Sequence, residues 1–386
     1  MSVTYAQGFM AAGLHCGVKR KRPDLAIIAT EDGKPVPAAA VFTKNRFAAA
    51  PVQVSRDHLQ ASNGLAAGVI VNSGNANAGT GEPGIRDARA MSKAAAAALG
   101  CTPEEMLVCS TGLIGKTLPI DAILSGVGKL APEGGKAANA AAAKAILTTD
   151  TVTKQAKFDG EGFSVGAIAK GSGMLRPDMA TMLAFITTDA DVSPEVLSRV
   201  LRAAVDDTFN TLTVDGAMST NDTVILMASG RREAPSEADL EAGIRAVCED
   251  LALQMARDAE GRTKIVRVNV TGAASDSEAR QVARSIAENQ LIKCSWHGSD
   301  PYWGRILCEA GAGEAQFDPD KARLSYGGIE IAAAGVEIDH DSKAVAKHMA
   351  GEEIEILLDL ALGAGAGRIV TVDLGPGYLK ENAQTS

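Results

Sequence analysis

Apolar residues fall along this chain in two rhythms. Short, nearly unbroken apolar runs at 25–30 (LAIIAT), 38–43 (AAAVFT) and 68–74 (GVIVNSG), each closed by turn-forming residues, predict strands. Between and after them, ARAMSKAAAAALG (88–100) ends on a glycine suited to a helix C-cap, and GGKAANAAAAKAIL (134–147) is rich in the strongest helix former, alanine. Both predict helices. Ser193-Pro194-Glu195 sets an N-cap serine before a proline at the first helical position of PEVLSRVLRAAVDDTF. In EADLEAGIRAVCEDLALQMARD (237–258), Leu240, Ile244, Cys248, Leu251 and Met255 recur at intervals of three and four, the spacing of one helical face.

The pattern then changes. TKIVRVNVTG (263–272) alternates as a strand does, DSEARQVARSIAENQ is helical, and EIEILLDLALGAGAGRIVTVDLG resembles two strands around a glycine turn. These shifts predict a mixed α/β core domain over residues 1–261 and a smaller α/β lobe over 262–386. No repeat with a period of 20 to 50 residues is evident. The fold class is α+β, built from mixed layers.

With 386 residues, 46% of them apolar, the chain has ample material for a core, but only 4% are aromatic and 40 are glycine. Packing must therefore rely on Val, Ile, Leu and Ala at close helix–sheet contacts. The net charge is −9, and no basic–aromatic surface pattern tracks nucleic acid. The run Lys19-Arg20-Lys21-Arg22 before Pro23 reads as a solvated loop and receives no function. Residues 1–180 hold 19 basic and 14 acidic side chains, and residues 181–386 hold 19 and 33, so the two parts attract. Six scattered cysteines form no C-x-x-C pair and have no histidine at metal-ligand spacing, so neither a disulfide framework nor a metal is expected. No secretory core or membrane-length apolar run is seen, which predicts a cytoplasmic protein with no membrane partner.

Candidate chemistry begins with what is missing. There is no G-x-S-x-G elbow, and the five histidines (15, 58, 297, 340 and 348) lie outside stretches that look like sites. An N-terminal threonine avoids the need for histidine, because its own α-amine, with a pKa of about 7.7 to 8.0, serves as the base for its hydroxyl. In KGSGMLRPDMATML, Thr181 follows the small Ala180 after a glycine-rich approach. Cleavage between Ala180 and Thr181, by attack of the Thr181 hydroxyl on the preceding carbonyl, would create that terminus. The same letters also fit a helix N-cap or a core threonine. Thr111-Gly112, at the end of the strand-like MLVCSTGLIG, offers a hydroxyl and a closely approachable backbone N–H for an oxyanion hole; a phosphate cradle or a plain turn fits as well.

Taken together, GFMAAGLHCGVKRKRPDLAIIAT, VNSGNANAGTGE, STGLIG, TTDT, KGSGMLRPDMATML, VDGAMSTNDTV, DPYWGRIL and YLKEN occur in an order that resembles the ornithine acetyltransferase family, also called glutamate N-acetyltransferases, of arginine biosynthesis. The resemblance spans essentially the whole chain. It implies a layered αββα core of the N-terminal-nucleophile type, cleaved into chains 1–180 and 181–386 that assemble as an α2β2 heterotetramer. It further implies acetyl transfer from N2-acetylornithine to glutamate through an acetyl-Thr181 intermediate. Thr111 and Gly112 would form the oxyanion hole, and Thr148, Lys170, Thr181, Glu260, Asn382 and Ser386 would bind substrate. Thr148 and its neighbour Thr149 are not separable on sequence. A lysine and a glutamate suit the zwitterionic end that both amino acids share. No cofactor is implied, and acetyl-CoA enters only as an optional co-substrate.

The chain departs from the family pattern at Ala217-Met218, at Tyr302, in a shortened tail ENAQTS, and at Arg176 and Asp178 beside the cleavage site. The last two put substrate choice in question. Two rivals stand beside the transferase: a related aminopeptidase or amidase sharing the acyl-threonine intermediate, and an unprocessed, non-catalytic small-molecule binding protein.

Overall fold

The computed structural model describes residues 2–176 and 182–383. The chain divides into two compact units, the first comprising residues 1–210 and 217–255, the second 211–216 and 256–386. In chain order the first unit runs β1 (Phe9–Leu14), β2 (Leu25–Thr30), β3 (Val36–Phe42), α1 (Ala50–Ala61), β4 (Leu65–Ala66), β5 (Gly68–Asn75), α2 (Gly81–Leu99), β6 (Met106–Leu113), α3 (Ile120–Val127), α4 (Lys136–Ala145), β7 (Lys154–Asp159), β8 (Ser164–Lys170), β9 (Leu183–Ala190), α5 (Pro194–Asp207) and β10 (Thr223–Arg232). Helix α6 (Glu237–Arg257) carries the chain to the boundary.

Among the described residues these strands form two sheets, one ordered β1-β2-β5-β6 and the other β4-β3-β10-β9-β8-β7. The run LAIIAT shows why they stack. Ile27 faces a layer containing Met91 and Ala95 of α2 and Ile123 and Val127 of α3. Its neighbour Ile28 points the other way, into a core shared with Ile168, Phe185, Ile225 and Met227 of the second sheet. A strand covered on both faces needs no polar alternation, which explains the continuous apolar run. Each such isoleucine contributes about 1.5 to 3 kcal/mol by burial. On the far side of the second sheet, α5 packs against β3 and β10. The first unit is thus layered helix, sheet, sheet, helix, the αββα arrangement the resemblance implied. Ser193 caps α5, its hydroxyl accepting from the Val196 N–H.

The second unit contains β11 (Ile265–Ala273), α7 (Asp276–Glu288), α8 (Gln290–His297), α9 (Trp303–Ala312), β12 (Arg323–Tyr326), β13 (Ile329–Ala333), β14 (Val336–Glu337), α10 (Ser342–Met349), β15 (Glu353–Asp359), β16 (Gly365–Val372) and α11 (Pro376–Asn382). Its sheet is ordered β14-β13-β12-β15-β11-β16, with β11 and β15 parallel. In β15 the pattern EIEILLD places Ile354, Ile356 and Leu358 in the core beside Val266, Val268 and Val270 of β11, and Ala279, Val282 and Ile286 of α7 cover them. Segment 211–216 belongs here because the Thr213 N–H donates to the Val370 carbonyl at 2.9 Å.

Candidate active site

Strand β6 carries Thr111 and Gly112 at its C-terminal end, in register with Ser73 and Gly74 of the parallel β5. Gly112 has φ of 135°, and a Cβ there would come within 2.2 Å of the Gly74 carbonyl carbon, so only glycine fits. The strand end is braced from outside the sheet. The Asn221 side-chain amide donates to the Ser110 carbonyl at 2.9 Å and to the Ala76 carbonyl at 2.7 Å. Thr111 is buried, and its hydroxyl makes no hydrogen bond among the described residues.

Strand β8 ends at Lys170, paired across the sheet with Leu183 of β9, two residues beyond Thr181. The hairpin register therefore sets this lysine beside the chain leaving the proposed cleavage point. Lys170 is buried, and its ammonium lies 4.0 Å from the Asp150 carboxylate. Asp150 organises the surrounding loops. It accepts from the Lys154 ammonium at 2.7 Å, the Gly171 N–H at 2.7 Å and the Thr148 N–H at 3.1 Å. Burial would raise its carboxyl, but Lys170, Lys154 and the Gly171 N–H outweigh that and pull it down to about 2. The Thr149 hydroxyl is engaged with Ser172 at 2.8 Å, whereas the Thr148 hydroxyl has no partner among the described residues.

Asp222, in the motif STNDT, is fully buried and accepts from the Met182 N–H at 2.9 Å, anchoring the residue that follows Thr181. Its second oxygen makes no hydrogen bond among the described residues, and burial pushes its carboxyl well above the usual range. Thr181 itself lies outside the described residues, as do Ala180, Asp178 and Ser386.

The second unit holds the other substrate-residue candidates. The Asn382 amide on α11 donates to Glu260 at 2.9 Å and to the Tyr378 carbonyl at 3.2 Å. A Cβ on Gly261, whose φ is 65°, would lie only 2.0 Å from the Tyr378 N, so glycine there allows the Glu260 loop to lie against this helix. The Tyr378 hydroxyl donates to Asp215 at 3.1 Å, and burial, then Asp215 and Glu260, push that phenol upward.

Four site-associated residues escaped sequence reasoning: Lys19, Asp150, Asp215 and Asp222. All four lie inside quoted stretches: Lys19 in the basic run, Asp150 in TTDT beside Thr148 and Thr149, and Asp215 and Asp222 in VDGAMSTNDTV, where Ala217-Met218 stood out instead. The reading of Lys19-Arg20-Lys21-Arg22 as a solvated run needs correction at its first member. Arg20, Lys21 and Arg22 are exposed, but Lys19 is half-buried, with its ammonium donating to the Pro23 carbonyl at 3.0 Å and to the Leu147 carbonyl. Tyr302 is half exposed under the Arg305 guanidinium, 5.0 Å away. His297 meets Asp373 at 2.6 Å, and the Thr263 hydroxyl donates to the same carboxylate. Hydroxyl, carboxylate and Nδ1 share one corner, whereas a catalytic relay needs the hydroxyl on Nε2. Among the described residues no group of three or more His, Cys, Asp or Glu could hold a metal, and no helix is long and apolar enough to cross a membrane.

The first unit is a layered helix–sheet body whose β6 and β8 ends present a hydroxyl, a glycine and a carboxylate-braced cation, the equipment of an acyl-transfer enzyme. The ArgJ family model matches residues 10–386, and the chain belongs to that family. It is 46% identical to the arginine biosynthesis bifunctional protein ArgJ of Streptomyces coelicolor and 43% identical to that of Thermobifida fusca, in each case over all of both chains. Among solved structures it is similar to an ornithine acetyltransferase of Mycobacterium tuberculosis complexed with ornithine. That match has 41% identity and a TM-score of 0.43, covering 46% of this chain and 94% of the other.

Proposed function

We propose that this protein transfers acetyl from N2-acetylornithine to glutamate in arginine biosynthesis, after cutting itself between Ala180 and Thr181. Full-length membership of the ArgJ family carries this reading, and the Asp150-centred network around Thr148 and Lys170 supports it. In the first stage the Thr181 hydroxyl attacks the Ala180 carbonyl carbon. The acyl group shifts from nitrogen to oxygen, and water hydrolyses the ester to leave an Ala180 carboxylate and a free Thr181 amine.

In the second stage that amine takes the Thr181 hydroxyl proton as the oxygen attacks the acetyl carbonyl. Thr111 and Gly112 stabilise the oxyanion, the Thr181 ammonium hands its proton to the departing ornithine nitrogen, and the neutral glutamate amine then attacks acetyl-Thr181, breaking the acetyl–Oγ bond to give N-acetylglutamate and the Thr181 hydroxyl again. Lys170 suits the α-carboxylate both substrates share, Glu260 and Asn382 suit an amino group, and Thr148 with its open hydroxyl is preferred to Thr149. Ser386 completes the set. Acetyl-CoA is a second donor in this reading, which rests on the word bifunctional in the relatives' names. The processed chains work as a cytoplasmic α2β2 assembly.

Intact mass of the denatured protein tests the first stage, with fragments of residues 1–180 and 181–386 expected. Thr181→Ala should leave one uncut chain and lower activity by about a thousandfold or more, the scale of losing an acyl-enzyme nucleophile. Label from N-acetylornithine should reach glutamate. Fast ornithine release that glutamate does not accelerate would identify a hydrolase instead.

A further inference from the structure

We propose that Lys19 binds the side-chain carboxylate of the glutamate acceptor, the group that N-acetylornithine lacks. This rests on the transferase reading and extends it to the choice of acceptor. The lysine is placed by a built loop rather than by chance. Fully buried Asp24 accepts from the backbone N–H groups of Cys16, Gly17 and Lys19 at 2.6, 3.1 and 2.8 Å, fixing the loop from which the side chain projects. The aliphatic stem crosses Gly74, where a Cβ would sit 2.8 Å from Lys19 Cγ, and Gly74 is the strand partner of Gly112. Its ammonium donates to the carbonyls of Pro23 and Leu147, and Leu147 directly precedes Thr148. One side chain thus touches both the oxyanion strand pair and the Thr148 turn.

An ammonium has three protons, and two of them are taken by these carbonyls. Among the described residues no carboxylate lies within ion-pair distance of it; Asp150 takes Lys154 instead. The groups that act on it are Asp24 and Asp150, which favour its charge, and Lys170 and Arg22, which oppose it. Desolvation is larger than any of these and brings it down to about 8.

Lys170 is close enough to contribute to that lowering, so two cations feel each other at this corner. Glutamate offers two carboxylates to such a pair. N-acetylornithine offers one carboxylate, and its far end is an ammonium that a fixed second cation would repel. Below about pH 8 the lysine is charged, so it attracts the glutamate side chain and disfavours the ornithine ammonium.

The test compares the two half-reactions in processed wild type, Lys19→Met and Lys19→Arg, with fragment masses verifying cleavage in each. In Lys19→Met the KM for glutamate should rise about tenfold more than the KM for N-acetylornithine, the scale of one hydrogen bond between charged groups. Lys19→Arg should restore most of it. In the wild type the glutamate KM should climb as pH passes about 8, where the ammonium is lost, and in Lys19→Arg it should stay flat. Equal rises for both substrates, or an unchanged glutamate KM, would overturn the role of Lys19. Should Lys19→Met fail to mature, the arginine variant and the wild-type pH profile decide. A wild type that moves no acetyl to glutamate overturns the transferase reading instead.

Discussion

The two units handle buried lysines in opposite ways. In the first, Lys154 and Lys170 gather round the carboxylate of Asp150. In the second, Lys264 donates to the carbonyls of Trp296 and Met349 and to the Ser299 hydroxyl, while Lys293 donates to the Val214 carbonyl at 2.6 Å and to Thr371. A carboxylate partner preserves a cation that can attract an anionic ligand. Carbonyl partners satisfy the hydrogens without neutralising the charge, so desolvation dominates, lowering Lys264 and bringing Lys293 down to about 8. The first arrangement suits binding and the second suits stapling; Lys19 is carbonyl-held like the second pair but only half-buried, with one proton left over for a ligand.

Asp150→Asn should have the largest effect, because it leaves two buried ammoniums facing a neutral amide and frees the Thr148 turn. We expect kcat/KM to fall about a hundredfold, as displaced binding groups do, with a loss of about 3 kcal/mol in stability. Steady-state kinetics and urea titration on one preparation read both quantities. An activity loss no greater than the stability loss explains would dissolve the distinction between binding and stapling. Lys264→Met should show the converse. Removing one donor from two buried carbonyls lowers stability by about 2 kcal/mol in denaturant titration, while kcat/KM of the folded enzyme stays within about twofold.

Acid separates the units more gently. Asp150 has its carboxyl pulled down from 3.8 to about 2, so its contribution is fully present above about pH 4 and is lost as pH falls through about 2. That is about 2 kcal/mol, and it should disappear from the pH dependence of stability in Asp150→Asn but not in Lys264→Met. A curve unchanged by Asp150→Asn would break the comparison.

Much of the layering was legible in the chain. LAIIAT became β2, Ser193-Pro194 began α5, and the three-and-four spacing of Leu240 to Met255 gave α6. Where packing rather than local pattern decided, reading failed. The apolar run after Thr181 has no period that separates strand from helix, and it is a strand because β8 and β10 flank it and bury all eight of its residues. Phe9–Leu14, too, is a strand only because it zips onto β2 from Leu14 opposite Leu25 to Phe9 opposite Thr30.

The candidate site divides in the same way. The hydroxyls and glycines of Thr111, Gly112 and Thr148 announce themselves through short motifs. Asp150, Asp222 and Lys19 act through partners 20 to 130 residues away, such as Gly171, Met182 and Leu147, which no local spacing records.

The strand order of the larger sheet in the first unit has a further meaning if the chain is cut before Thr181. β9 and β10 would then belong to the C-terminal fragment, yet they lie between β3 on one side and β8 on the other, both from the N-terminal fragment. The fragments would be interleaved like the fingers of two hands. Each would be missing the middle or the flanks of that sheet, so neither could complete it alone, and breaking one peptide bond would free a terminus without freeing a piece. Maturation would then be an irreversible chemical event inside a body that keeps its shape.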